Sequence, residues 1–211
     1  MTSVLSLGRD AVWKRRLVRL LPDRPRPVCV DLACGTGDLT RLLARRFSGG
    51  TVIGLDLTPA MLDLARAHTP EPTVRYEQRD IADTGLAPES VDFVTGGYAL
   101  RNAPVLDDAI REVARILRPG GTAAFLDFMR WPGRLTGWAE IALLGAWGSL
   151  WGLIRHRNPA VYGYIAASLR RFPSPQELHD RFQDHGLPVV KNVRCLFGIT
   201  AIVVVQKPRT R

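Results

Sequence analysis

The segment DLACGTGDLT, residues 31–40, puts Asp31, Gly35, Gly37 and Asp38 within eight positions. Gly35 and Gly37 directly follow the apolar run VCVDLA, where a chain leaving a strand must turn tightly and let a ligand approach its backbone. Glycine loops of this kind commonly present the N-terminus of the next helix to a pyrophosphate. Here that terminus carries Asp38, the strand before it ends on Asp31, and Thr40 stands where a dinucleotide fingerprint needs a third Gly or Ala. Two carboxylates repel a phosphate dianion and attract a cation. S-Adenosylmethionine has positive sulfonium and ammonium groups and no phosphate, so it suits such a loop. Asp56, with Leu57 beside it, ends the second strand, where a carboxylate accepts both ribose hydroxyls, and Asp80 with Ile81 follows the third, placed for an adenine edge. Each acid also has a plain structural reading, Asp38 as a helix-start residue and Asp80 as a loop cap. Their recurrence after successive strand ends favours a shared ligand.

The elements that must position these residues alternate strand with helix. Strands are predicted at 28–33, 51–57, 73–78, 91–96 and 122–128, with helices at 38–47, 59–67 and 105–117, the last stopped by RPGG. Thr58 and Pro59 supply an N-cap and first-turn proline. Ser174, Pro175 and Glu177 make a capping-box start to a helix ending near Gly186. The runs VVKNV and ITAIVVVQ read as a closing antiparallel pair at the sheet edge. This is an α/β pattern: a doubly wound, mostly parallel sheet of seven strands, with ligand expected at the strands' carboxyl ends.

At 211 residues and 46% hydrophobic, the chain suffices for one well-buried domain, read as 1–211 with an apolar helical insertion at about 130–170. The net charge of +9 is mostly arginine, since Lys14, Lys191 and Lys207 are the only lysines. The arginines are scattered rather than striped between aromatics, which disfavours nucleic acid. Clusters at 14–19 and at Lys207, Arg209 and Arg211 suit either solvent or an anionic membrane surface. Cys29, Cys34 and Cys195 lack CxxC spacing, arguing against a disulfide framework or a zinc site, and no metal is expected near His179 or His185. The first residues lack the apolar core of a secretory leader, so a cytoplasmic protein is expected.

At YALRNAPVLDDAIREVARILRPGG the chain resembles the UbiE/MenG type of ubiquinone and menaquinone C-methyltransferases. VLSLGRDAVWKR is similar to that family's helix before the first strand, DLACGTGDLT to its cofactor loop, and GYIAASLRRFPSPQEL to its late helix with an Arg-x-x-Pro turn. LRN is the most family-specific piece, whereas GTG occurs in many methyltransferases. The resemblance implies a Rossmann-like methyltransferase fold with a helical lid after strand five. It implies S-adenosylmethionine held by Thr36, Asp56, Asp80, Ile81 and Gly97, and a prenylated quinol ring beside Arg101 and Asn102. Methylating a ring carbon needs an electron-rich phenolate, which Arg101 would stabilise while Asn102 orients a neighbouring oxygen. Arginine is not a base at ordinary pH. Asp127, at the end of strand five, or a water is the candidate proton acceptor, and Asp127 has a structural reading as well.

The chain departs from the family pattern mainly on the substrate side. Ala167 replaces a usual Glu, FGITAIVVVQ lacks a common His, Gly97 replaces a commoner Ser, and a front segment with a Tyr-Asp pair would lie upstream of VLSLG. An aromatic or polyketide-like acceptor is therefore the alternative substrate, and a non-catalytic membrane or nucleic-acid module the alternative class. LTGWAEIALLGAWGSLWGLI, residues 135–154, matches the ~20 residues of a membrane span. Glu140 and four glycines at 137, 145, 148 and 152 oppose spanning. A buried or groove-lining helix and a membrane-contacting lid remain, the latter favoured by Trp131, Trp138, Trp147 and Trp151 with Arg130, Arg134, Arg155 and Arg157 at the borders. A homodimer and peripheral association with the inner membrane face stay open.

Overall fold

The computed structural model describes residues 9–129 and 168–209. The chain opens with helix α1 (Asp10–Leu20), then alternates β1 (Val28–Leu32), α2 (Asp38–Arg46), β2 (Thr51–Asp56), α3 (Pro59–Ala67), β3 (Val74–Gln78) and β4 (Val91–Gly97). A single 3₁₀ turn, Leu100–Asn102, leads to α4 (Leu106–Ile116) and β5 (Leu117–Phe128). After α5 (Pro175–Asp184) come β6 (Val189–Cys195) and β7 (Thr200–Gln206).

The seven strands form one sheet in the order β3-β2-β1-β4-β5-β7-β6. The five strands from β3 to β5 are parallel, and β7 and β6 pair antiparallel at the edge, as their sequence predicts. Chain progression runs outward from β1 to β3 and then jumps back to β4 on the other side of β1. That reversal leaves a crevice above the carboxyl ends of β1 and β4, because the connections leaving them go to opposite faces.

Burial follows the pattern expected of a sheet covered on both faces: β1, β4 and β7 are almost continuously buried. Helix α4 buries Ala109, Ile110, Val113 and Ile116, spaced at three and four residues, against this sheet. Helix α1 adds Trp13, Leu17 and Val18, each such large side chain contributing about 1.5–3 kcal/mol.

Local signals were mostly legible. Ser174 and Glu177 form the expected capping box: the Glu177 N–H donates to the Ser174 hydroxyl, and the Ser174 N–H donates to the Glu177 carboxylate at 2.7 Å. Thr58 occupies the N-cap of α3 and Pro59 its first turn as expected; the Thr58 hydroxyl makes no cap bond, and its N–H donates to Asp56 at 2.9 Å. One expectation needs correction. RPGG does not separate helix from strand: β5 begins at Leu117, paired with Val91, and the register shifts before Phe93 pairs with Thr122. Gly120 permits this with a φ of +78°, a left-handed conformation that glycine tolerates.

The expected insertion at 130–170, its apolar stretch at 135–154, most of the helix expected at 158–169, and Ala167 lie outside the described residues. Among the described residues, no helix is long and apolar enough to cross a membrane.

Candidate active site

The carboxyl ends of the parallel strands gather nearly every residue singled out from the sequence. Gly35, Thr36 and Gly37 leave β1, Asp56 ends β2 with Leu57 just beyond it, Asp80 and Ile81 follow β3, Gly97 ends β4, and Asp127 lies near the end of β5. Arg101 and Asn102 sit in the 3₁₀ turn after β4. In register, Leu32 faces Gly96 and Gly97 faces Leu126, so the β1 loop, the β4 turn and the end of β5 are neighbours.

The acids do more than charge the crevice. Asp56 accepts the Gly35 N–H at 2.8 Å as well as that of Thr58, which ties the glycine loop to the next strand end. Asp80 accepts the Ala82 N–H at 2.8 Å. Asp38 is half exposed and paired with Lys14 at 3.0 Å and Arg41 at 2.7 Å. Burial works against its charge, but the hydrogen bond and charge of Lys14, with Arg41, hold its carboxyl below the usual range. Asp31 is 1% exposed and accepts hydroxyl hydrogen bonds from Thr40 at 2.7 Å and Thr95 at 2.9 Å. Burial pushes its carboxyl up to about 6 against those two donors. Asp31 thus braces the loop from below, joining the Thr40 hydroxyl of α2 to the Thr95 hydroxyl of β4.

The loop geometry depends on two glycines and one tyrosine. Gly37 is the N-cap of α2 at φ +80°, and a Cβ there would lie 2.3 Å from the Tyr76 hydroxyl. The same ring would stand 2.6 Å from a Cβ on Gly54 in β2. Tyr76 therefore underlies the loop, and its hydroxyl shares a hydrogen bond with Thr69 at 2.8 Å. Cys34 in the loop is partly buried with its thiol pushed up by burial, then by Asp31 and Asp56, which leaves it a packed thiol rather than a nucleophile.

On the acceptor side, the buried Arg101 pairs with Asp127 at 3.3 Å. Its backbone N–H also reaches Asp127 at 3.0 Å, its guanidinium donates to the Ser168 hydroxyl, and it lies over the Phe128 ring. Asp127 is completely buried and also accepts the Phe128 N–H at 2.9 Å. With its oxygens taken by Arg101 and the Phe128 N–H, Asp127 has the geometry of the structural one of its two expected roles. Asn102 is exposed and donates to the Tyr98 carbonyl at 2.8 Å. Arg101 and Asn102 line a cavity of about 610 Å³ whose other walls include Val105, Ser168, Phe172 and Arg181. Among the described residues, no group of three or more His, Cys, Asp or Glu is placed to hold a metal ion. His185 does lie 3.7 Å from Asp107, a partner its sequence neighbourhood does not suggest.

The model of the ubiE/COQ5 methyltransferase family matches residues 1–207. The chain belongs to that family. This methyltransferase is 38% identical to a 2-phytyl-1,4-naphtoquinone methyltransferase of Thermosynechococcus vestitus, over 96% of this chain and 91% of the relative. It is 32% identical to a demethylmenaquinone methyltransferase of Desulfitobacterium hafniense, over 99% and 85%. Among solved structures it resembles a chain from the complex between the Haloferax volcanii Trm112 methyltransferase activator and a methyltransferase, with TM-score 0.72, 20% identity and coverage of 99% and 95%. A SAM-dependent methyltransferase of Aquifex aeolicus gives TM-score 0.69 at 14% identity, covering 98% and 97%. The fold is the Rossmann-like one of S-adenosylmethionine-dependent methyltransferases, and this chain is such an enzyme.

The sequence of this methyltransferase assigns no supporting role to Thr40 and Thr95 under Asp31, Tyr76 under Gly37, Ser168 beside Arg101, or Asp10 and Lys14 in α1. Only the last two left a signal, an acid and a base four residues apart on one helix.

Proposed function

We propose that this enzyme methylates a ring carbon of a prenylated naphthoquinol, with S-adenosylmethionine bound in the crevice above β1 and β4. The observation carrying this reading is the cavity walled by Arg101, Asn102 and Phe172 beside the strand ends that hold the cofactor loop. The names of the two relatives, a phytyl-naphtoquinone and a demethylmenaquinone methyltransferase, support the acceptor class.

S-Adenosylmethionine bound there would supply an electrophilic methyl group and be released as a neutral thioether. The backbone of Gly35 to Gly37 would hold it closely, Asp56 would receive the ribose hydroxyls, Asp80 with Ile81 would bound the adenine, and Thr36, Leu57 and Gly97 would complete its walls. Arg101 is a fixed cation that stabilises the quinolate oxygen, and Asn102 orients the ring. The ionised ring pushes electron density onto the carbon that takes the methyl, and that carbon's proton then leaves to water. Alignment of the two reacting carbons provides the remaining acceleration. The basic, Trp-rich 130–157 region supports a peripheral position at the inner membrane face, where such a lipid resides.

Incubation with methyl-labelled cofactor and either prenylated naphthoquinol or prenylated benzoquinol tests the reading. Label is expected in the naphthoquinol, and absence of label from both lipids sinks it.

A further inference from the structure

Lys14 reaches from α1 to the start of α2 and the end of β4. Its side chain is 13% exposed, and its ammonium donates to Asp10 at 2.7 Å and to Asp38 at 3.0 Å. Its stem passes the end of β4, where a Cβ on Gly97 would lie 3.9 Å from the Lys14 Cε. The ammonium thus sits between the loop after β1 and the end of β4, the two edges of the crevice. A lysine carries three N–H donors, and two of Lys14's are engaged by these acids.

We propose that Lys14 recognises the α-carboxylate of S-adenosylmethionine, with Asp10 and Asp38 holding its ammonium for that task. The inference rests on the reading of residues 35–38 as the cofactor loop. Charge at the crevice edge supplies the first argument. Asp38 stands at the start of α2, beside the place where the cofactor's amino-acid end must lie. That end carries one ammonium and one carboxylate. The acids suit the ammonium and repel the carboxylate, so a cation at the same edge is needed. Arg41 is committed elsewhere: it pairs with Asp38 at 2.7 Å and donates to the Thr36 carbonyl at 2.7 Å. Among the described residues, Lys14 is the other cation paired with Asp38.

The second argument is that Lys14 is anchored from both sides of the crevice. Asp10 accepts the Tyr98 hydroxyl at 2.9 Å. Tyr98 follows Gly97 in a left-handed conformation, φ +60°, which a bulky residue adopts only when its surroundings require it. Its N–H reaches the Leu126 carbonyl at 2.7 Å and its ring lies 5.3 Å from that of Phe128. A side chain needed only to tie two helices together does not call for a strained tyrosine on the acceptor side of the site. Burial works against the Lys14 charge, but the hydrogen bonds and charges of Asp10 and Asp38 keep it raised above its ordinary value, so it stays a cation.

Calorimetric titration with S-adenosylmethionine and with its decarboxylated analogue, which keeps both positive groups, tests the assignment. The wild type is expected to favour the carboxylated cofactor. Lys14→Met and Lys14→Gln lose roughly 10- to 100-fold in affinity for S-adenosylmethionine, as for a lost charge-assisted hydrogen bond, and bind the decarboxylated analogue within about twofold of wild type. Lys14→Arg retains the preference. Equal losses for both ligands reduce Lys14 to a structural tie and overturn the proposal, as does a wild type that binds both ligands alike. A wild type that binds neither overturns the cofactor reading itself. Thermal melting identifies a neutral variant that fails to fold, and the other neutral variant then carries the comparison.

Discussion

The guanidinium of Arg101 and the carboxylate of Asp127 form an ion pair with side chains only 1% and 0% exposed, reinforced by the Arg101 backbone N–H on the same carboxylate. Removing one member of such a pair strands the other in a medium that solvates it poorly. Asp127→Ala should therefore cost about 3–5 kcal/mol of stability, read as a lower Tm. Asp127→Asn preserves volume and one acceptor. It should lower kcat by about 10- to 100-fold by loosening Arg101, with affinity for S-adenosylmethionine within about twofold of wild type. An arm of the kcat-pH profile that vanishes in Asp127→Asn would instead make Asp127 the base and overturn its positioning role.

Asp31 makes a distinct statement about pH. Burial raises its carboxyl from an ordinary 3.8 to about 6. Between those values the folded chain holds a proton that the unfolded chain has released, so this group's contribution falls as pH rises through the window and is flat above it. The difference amounts to about 3 kcal/mol. Asp38 and Glu112, whose carboxyls are held below their usual range, slope the other way, so the variant must be compared with wild type at each pH. Relative to wild type, Asp31→Asn should gain roughly 5–10 °C in Tm between pH 4 and pH 7. Parallel melting curves across that range would refute the raised value.

Gly37 is predicted to resist even a methyl group. Its left-handed φ costs an alanine about 1–2 kcal/mol, and the new Cβ would meet the Tyr76 hydroxyl at 2.3 Å. Gly37→Ala should lower both Tm and cofactor affinity. Combined with Tyr76→Phe, which deletes the clashing oxygen, the penalty should be less than the sum of the two single changes. Strict additivity, measured by melting and calorimetry, would show that the tyrosine does not support the loop.

Lys207 provides a control remote from the crevice. Its ammonium donates to the carbonyls of Ala114 and Leu117 at 2.9 Å each and pairs with Glu89 at 3.1 Å, closing the C-terminal end of α4. Lys207→Met should cost about 2 kcal/mol and leave kcat and KM of the folded enzyme unchanged. A selective change in KM would indicate communication between that end of the sheet and the crevice.

The strands and most helices were legible because burial imposes periodicity on local sequence. VCVDLA and ITAIVVVQ read as covered strands, and Ala109, Ile110, Val113 and Ile116 repeat at helical spacing. The start of β5 was not legible, since RPGG is a sound helix stop whether or not the chain then pairs with Val91. The glycines of the loop after β1 were visible for a similar local reason, as they must turn within a few residues. The protein partners of each acid were not: Asp31 accepts from Thr95, 64 residues away.

The sequence by itself determined the alternating α/β architecture, the place of the glycine loop at a strand end, and the family to which LRN points. Tertiary structure alone decided which polar groups meet. Arg101 finds Ser168 across 67 positions, Lys14 finds Asp38 across 24, and Asp10 finds Tyr98 across 88. Hydrophobic pattern specifies which face of an element is buried, a property carried within each element. A hydrogen bond depends on angstrom-scale placement of two elements that only the assembled sheet brings together.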